Sequence, residues 1–173
     1  AAGASVVCAA RRVDEIQRVA DEINAAGGKA KCCATDVTDL DAVNRLAKFA
    51  CDETGGLHMW VNNAGGSAVQ KPLHLLDQEE WDRTLALNLT AVWQCTRVAA
   101  ETMVEGRILN ISSLAAEDVI AGSGHYSAAK AGVNMLTKTF AQELGPRIRV
   151  NCIMPGAVPT EIMMQALKLK DED

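Results

Sequence analysis

The sequence predicts an α/β fold, a doubly wound parallel sheet with helices on its two faces. Three observations carry that expectation. Short β-branched runs alternate with longer segments of helical period. Glycine pairs close the helical segments where a left-handed residue is needed. Two strand-like runs end in small residues, amides and hydroxyls, where an open parallel sheet presents its ligand site.

The elements follow in order. Strands are expected at Ser5–Ala9, Ala30–Ala34, Leu57–Val61, Arg107–Ile111 and Ile148–Ile153. Helices are expected near Val13–Ala25, Leu40–Thr54, Gln78–Val104 and Tyr126–Leu144. Gly27–Gly28 and Gly55–Gly56 stop the first two helices. Asp77 followed by Glu80 reads as an N-cap with its reciprocal partner at the start of the third. No internal repeat, low-complexity tract or second-domain linker interrupts residues 1–173, which read as a single domain.

Composition narrows the function. Apolar residues make up 49% and charged residues 23%, the balance of a soluble globular protein. The formal charge of −5 and the lack of any basic run argue against nucleic acid or an anionic membrane as partner. The longest stretch free of charge, Thr54–Gln70, holds glycine and asparagine pairs and is no membrane span. Cys8, Cys32, Cys33, Cys51, Cys95 and Cys152 have neither disulfide nor metal-ligand spacing, and the three histidines are scattered. The expectation is free thiols, no metal and a reducing cytoplasm.

Four segments carry chemistry. In Leu57–Gly66 a strand runs into Asn62, Asn63, Ala64, Gly65 and Gly66, where a flat cofactor could approach the backbone and amides could tie strands together. The same residues also suit an ordinary turn. Arg107–Ser113 is a buried strand ending in two hydroxyls, and Tyr126 and Lys130 lie one helical turn apart on one face. Tyr126 is the chain's one tyrosine and follows Ser113 by thirteen residues. A phenol near pKa 10 becomes a general acid/base at neutral pH only if something favours phenolate. An adjacent ammonium, together with a positively charged cofactor ring, does so, and a serine hydroxyl can donate to the same substrate oxygen. The bland alternative is a helix-start tyrosine beside a solvated lysine. Asn88, inside the apolar run Leu85–Val92, needs partners. Backbone groups could supply them, or a local break in the helix could hold a water that relays protons from Lys130.

Together the motifs NNAG at 62–65, LNLT at 87–90, NISS at 110–113, YSAAK at 126–130 and RVNCIMPG at 149–156 resemble the ordered motifs of the short-chain dehydrogenase/reductase family, classical type. The resemblance covers the whole chain. It implies a Rossmann-like sheet of family order 3-2-1-4-5-6-7 and a catalytic tetrad of Asn88, Ser113, Tyr126 and Lys130. It further implies that Asp36 and Val37 border the adenine ring, and that Asn63, Ala64 and Gly65 line the adenosine ribose. Lys130, beside Tyr126, would bind the nicotinamide ribose. Pro155, Gly156 and Val158 would meet the carboxamide, with Thr160 reaching the phosphates. Mapped on the family order, the chain carries strands 2 through 6, so the family's central first strand, its Gly-rich turn and a C-terminal part are expected outside residues 1–173. That expectation amounts to about 20–30 residues before and about 70 after them.

Cofactor choice is read at the end of the first visible strand. Ala10 stands where NAD-binding relatives carry an acid, and Arg11 and Arg12 follow, so NADP(H) is expected over NAD(H). These arginines would equally suit the start of a solvated helix. The run SSLAAED with NNAGG and KPL looks most like bacterial 7-alpha-hydroxysteroid dehydrogenases, with similar stretches in 3-oxoacyl-carrier-protein reductases and carbonyl reductases. The expected activity is interconversion of a ketone and a secondary alcohol on a small-molecule substrate. A homodimer or homotetramer is expected through the 78–104 and 126–144 helices. The rivals are a catalytically silent nucleotide sensor and a purely structural subunit.

Overall fold

The computed structural model describes residues 3–67 and 69–158. Five strands alternate with helices: β1 Ser5–Ala10, α1 Val13–Ala25, β2 Lys29–Ala34, α2 Leu40–Thr54, β3 Met59–Asn62, α3 Gln78–Leu85, α4 Ala91–Thr102, β4 Gly106–Ile111, α5 Gly124–Leu144 and β5 Ile148–Ile153. Local chemistry sets the helix ends. Asp39 accepts from the amides of Asp41 and Ala42 at the start of α2, and Gly55, at φ +78°, closes it through a bond to the Cys51 carbonyl. Asp77 and Glu80 form the expected reciprocal capping box at α3.

All strand pairings are parallel, in two groups. β1 pairs with β2, and β4 lies between β3 and β5. A cavity of about 1190 Å³ separates the groups, lined on one side by β1 residues Ser5–Val7, Ala9 and Ala10 and on the other by Met59–Asn62 of β3. Helices α2 and α4 bridge the groups, with Val43, Leu46 and Ala47 of α2 packed against Cys95, Val98 and Ala99 of α4, Trp60 of β3 and Ile108 of β4. This cluster is the core, and burial of its apolar surface is the main favourable contribution to the fold. No helix is long and apolar enough to cross a membrane among the described residues.

β1, β2 and β4 each extend one residue beyond the sequence expectation, and larger differences fall elsewhere. The helix foreseen over 78–104 is continuous in direction but broken at Ala86–Thr90 by a π-helical turn, in which the Ala91 amide bonds to the Ala86 carbonyl. It ends at Thr102 because Met103 is extended, and the Arg147 guanidinium takes up the Met103 carbonyl at 2.6 Å. The last helix starts two residues early, at Gly124, and β3 begins at Met59, where pairing with Arg107 starts.

A buried polar ladder holds the carboxyl ends of β3 and β4 level. The Trp60 indole donates to Asn62 Oδ1 at 2.7 Å, and the Asn62 amide donates to Thr96 Oγ1 at 2.9 Å and Asn110 Oδ1 at 2.8 Å. Asn110 in turn donates to Thr137 Oγ1 at 2.8 Å. Thus β3, β4, α4 and α5 are fastened at one end. Replacing Asn62 with Ala strands three buried polar groups, so we expect Asn62→Ala to lower unfolding free energy by about 2–3 kcal/mol, read from the urea midpoint. An unmoved midpoint would contradict this role for the ladder.

Candidate active site

Beyond the ladder, the chain brings Asn88, Ser113, Tyr126 and Lys130 to the same end of the sheet. Ser113 follows β4, which is pinned to β5 by a 2.8 Å bond from the Ser112 amide to the Ile153 carbonyl. Tyr126 and Lys130 stand one turn apart in α5, with the Lys130 nitrogen 5.6 Å from the centre of the Tyr126 ring. The Ser113 hydroxyl stands beside the phenol and favours its ionised form. Ser113 Oγ accepts from the Ala115 amide at 3.1 Å, which fixes the hydroxyl at the turn leaving the strand.

The π-helical turn delivers Asn88. Its widened loop turns the side chain inward, where it is fully enclosed. The amide nitrogen donates to the Thr84 and Gly66 carbonyls, both at 3.0 Å, and Oδ1 accepts from the Gly66 amide at 2.8 Å. Sequence reasoning foresaw either backbone partners or a break in the helix, and the structure has both. Gly65 must be glycine for space. A Cβ there would lie 2.9 Å from Asn88 Oδ1 and 3.2 Å from Lys130 Nζ.

Burial governs the protonation of the pair. Lys130 is 3% exposed, its amine donates to the Ile111 carbonyl at 2.8 Å, and desolvation pushes its pKa down to about 8. Tyr126 is held above the ordinary phenol value by burial, partly offset by the neighbouring Ser113 hydroxyl. Desolvation costs the phenolate more than its neighbours return.

The expected cofactor positions divide by location. Arg11, Arg12, Asp36, Val37, Asn63, Ala64 and Gly65 all line the 1190 Å³ cavity. Arg11 Nη1 lies 4.0 Å from Asp36 Oδ2, with both side chains exposed. The Asp36 carboxyl is held below the usual range chiefly by the Thr38 hydroxyl and amide. Pro155 and Gly156 stand beside Leu114, whose amide bonds to the Pro155 carbonyl at 3.0 Å, and Val158 follows them exposed. Thr160 lies outside the described residues. The cavity reaches the cluster at Gly65, Gly66 and Ser67, and Tyr126 is not part of its wall. All six cysteines are unpaired, and no group of three metal-ligating side chains gathers among the described residues.

A phenol–hydroxyl–amine cluster at the carboxyl ends of parallel strands, with helices alternating between the strands, points to a dinucleotide-binding α/β oxidoreductase class. The short chain dehydrogenase profile matches residues 1–171, and the chain belongs to that family. It is 39% identical over 150 residues to a 3-oxoacyl-[acyl-carrier-protein] reductase of Synechocystis, covering 83% of this chain and 60% of the relative. It is 35% identical over 170 residues to the 7alpha-hydroxysteroid dehydrogenase of Escherichia coli, covering 96% and 66%. Among solved structures, a 7 alpha-hydroxysteroid dehydrogenase complexed with NADH and 7-oxo glycochenodeoxycholic acid superposes with a TM-score of 0.90 at 34% identity, covering 99% of this chain and 67% of that one. The chain therefore spans about two thirds of the length of its relatives.

The ladder residues Asn62, Thr96, Asn110 and Thr137 were only half legible. The asparagines are visible in NNAG and NISS, but their hydroxyl partners lie on helices far along the chain. Lys130 yields a pH prediction. Between about 8 and the ordinary 10.5, the unfolded chain holds this proton more often than the folded one. Its contribution to stability therefore rises with pH through that window and is lowest at neutral pH. We expect a climb of at most about 3 kcal/mol from this group in urea titrations without cofactor, absent in Lys130→Met. Equal pH slopes in both proteins would contradict the shift.

Proposed function

We propose that the protein is an NADP(H)-dependent oxidoreductase interconverting a carbonyl and a secondary alcohol, with Tyr126 as general acid/base. The observation that carries this is the meeting of Tyr126, Ser113 and Lys130 beyond β4. A protonated phenol beside a hydroxyl can hand its proton to a carbonyl oxygen as negative charge develops there. The Ser113 hydroxyl donates to the same oxygen and holds it in register. Lys130, poised with a pKa of about 8, can restore the proton and carry charge beneath the ring. Asn88 fixes the Gly66 backbone above that amine.

A nicotinamide dinucleotide fits the residues present. Asn63, Ala64 and Gly65 present small side chains and backbone to the cavity, and Arg11 in the same wall offers a fork to a phosphate. When bound, the dinucleotide supplies the hydride and, oxidised, a positive ring that favours phenolate. Arg11 and Arg12 after Ala10 support NADP(H), although the superposed hydroxysteroid dehydrogenase holds NADH. Asn63 and Val37 would flank the adenosine half, and Pro155 and Gly156 the carboxamide end. Thr160 is assigned to the phosphates on resemblance alone.

The two parallel strands facing the 1190 Å³ gap support a place for the family's central strand between them in the whole protein. Exposed Leu73, Leu114, Val119 and Ile120 near the cluster support an apolar substrate, in keeping with a hydroxysteroid or a 3-oxoacyl chain. A shallow apolar groove on α4 and α5, lined by Leu89, Trp93, Gly132, Met135 and Leu136, supports a homodimer or homotetramer through these helices. Six unpaired thiols support a cytoplasmic setting.

The catalytically silent alternative leaves the enclosed Lys130 beneath the Tyr126 ring without purpose. We expect the full-length protein to reduce members of a ketone panel with NADPH. Tyr126→Phe should lower kcat by at least about a hundredfold with cofactor affinity within about threefold. No turnover across a broad panel, or an unimpaired Tyr126→Phe, would overturn the catalytic assignment. Efficiency about tenfold better with NADH would overturn the NADP(H) preference.

A further inference from the structure

In the sequence His125 is one of three scattered histidines. In the structure it is completely enclosed, immediately before Tyr126 in the first turn of α5. Its Nε2 lies 3.2 Å from Ser67 Oγ, while Nδ1 has no partner. Burial holds the imidazole below its ordinary pKa, so the ring is neutral at neutral pH. An enclosed imidazole with one nitrogen unpaired is a costly way to fill space, since an apolar side chain of similar size would leave nothing unsatisfied. The nitrogen that is paired reaches Ser67, 58 residues earlier in the chain.

Ser67 is the next link. Its hydroxyl takes the Val69 amide at 3.3 Å, which curls the chain just after the cavity wall. Its neighbour Gly66 is gripped through both backbone groups by the Asn88 amide, and Gly65 closes over Lys130 Nζ. The segment Gly65–Ser67 is thus anchored on one side by Asn88 and on the other by His125. A backbone bond from the Lys71 amide to the Gly122 carbonyl, at 2.9 Å, ties the same two stretches slightly farther out.

We propose that His125 is a positioning residue: through Ser67 it fixes the Gly65–Ser67 segment to the first turn of α5 and so sets Tyr126 and Lys130 at their working distance from the cofactor cleft. This rests on the oxidoreductase reading above. Small displacements of a reacting group cost large factors in rate, so the link acts on kcat more than on cofactor affinity. His125 touches no reacting atom in this scheme.

The test uses the full-length protein with two independent readouts. One is hydrogen exchange at the Gly66 amide without cofactor, and the other is steady-state kinetics. His125→Ala and Ser67→Ala should each speed Gly66 exchange at least about tenfold and lower kcat about tenfold or more, with cofactor affinity within about threefold. The double variant should be no worse than either single one, as coupled partners require. His125→Gln, which keeps a nitrogen able to reach Ser67, should bring both readouts back to within about threefold of the parent. Should His125→Ala fail to fold, Ser67→Ala and His125→Gln carry the comparison. Unchanged exchange, additive losses in the double variant, or faster exchange with an unaltered kcat would each overturn the proposal. Absence of turnover in the parent protein would instead sink the oxidoreductase reading, and the exchange arm would still decide whether the His125–Ser67 tie holds the segment.

Discussion

Buried polar groups at the carboxyl end of the sheet must be satisfied, and the rest of the architecture depends on how that is done. Asn62, Asn88, Asn110 and Lys130 are all enclosed there, away from water. Each needs protein partners, because an unmatched donor or acceptor in that setting costs far more than an ordinary hydrogen bond returns. The partners come from different elements. Asn62 spans to Asn110 and Thr96, Asn110 to Thr137, Asn88 to Gly66 and Lys130 to Ile111. Satisfying four groups therefore fixes two strands and three helical segments relative to one another.

From this follows the geometry of the cluster. Parallel pairing levels the ends of β3, β4 and β5, and the ladder keeps them level. The π-helical turn spends one irregularity to aim Asn88 at Gly66, and Gly65 can then close onto the lysine. The resulting site is dry enough to press the amine down to about 8 and to keep the phenol protonated. A protonated phenol suits delivery of a proton to a carbonyl. The reverse direction requires the phenolate, and the oxidised nicotinamide would contribute the positive charge that the buried lysine only partly provides.

Much of this was legible in the sequence. Val13–Ala25, Leu40–Thr54 and Ile148–Ile153 emerged with their expected bounds, because apolar period and glycine or acidic caps are local signals. The break at Asn88 was foreseen as one outlet for an amide in apolar surroundings. What escaped depends on distant partners. Helix α4 ends at Thr102 where the Arg147 guanidinium meets the Met103 carbonyl, a contact across 44 residues. The pairing of His125 with Ser67 is equally invisible to local pattern. Spacing likewise reveals a charge near Tyr126 but not the depth of burial around it.

The most direct measurement follows the ionisation of Tyr126, assigned by its loss in Tyr126→Phe, through the ring-carbon NMR signal of labelled tyrosine. Without cofactor the phenol should titrate above its ordinary value of 10.0. With saturating oxidised cofactor it should fall by about two units or more, toward neutrality. A titration that stays in place when cofactor binds would contradict the claim that Tyr126 is the proton-transferring group of this site.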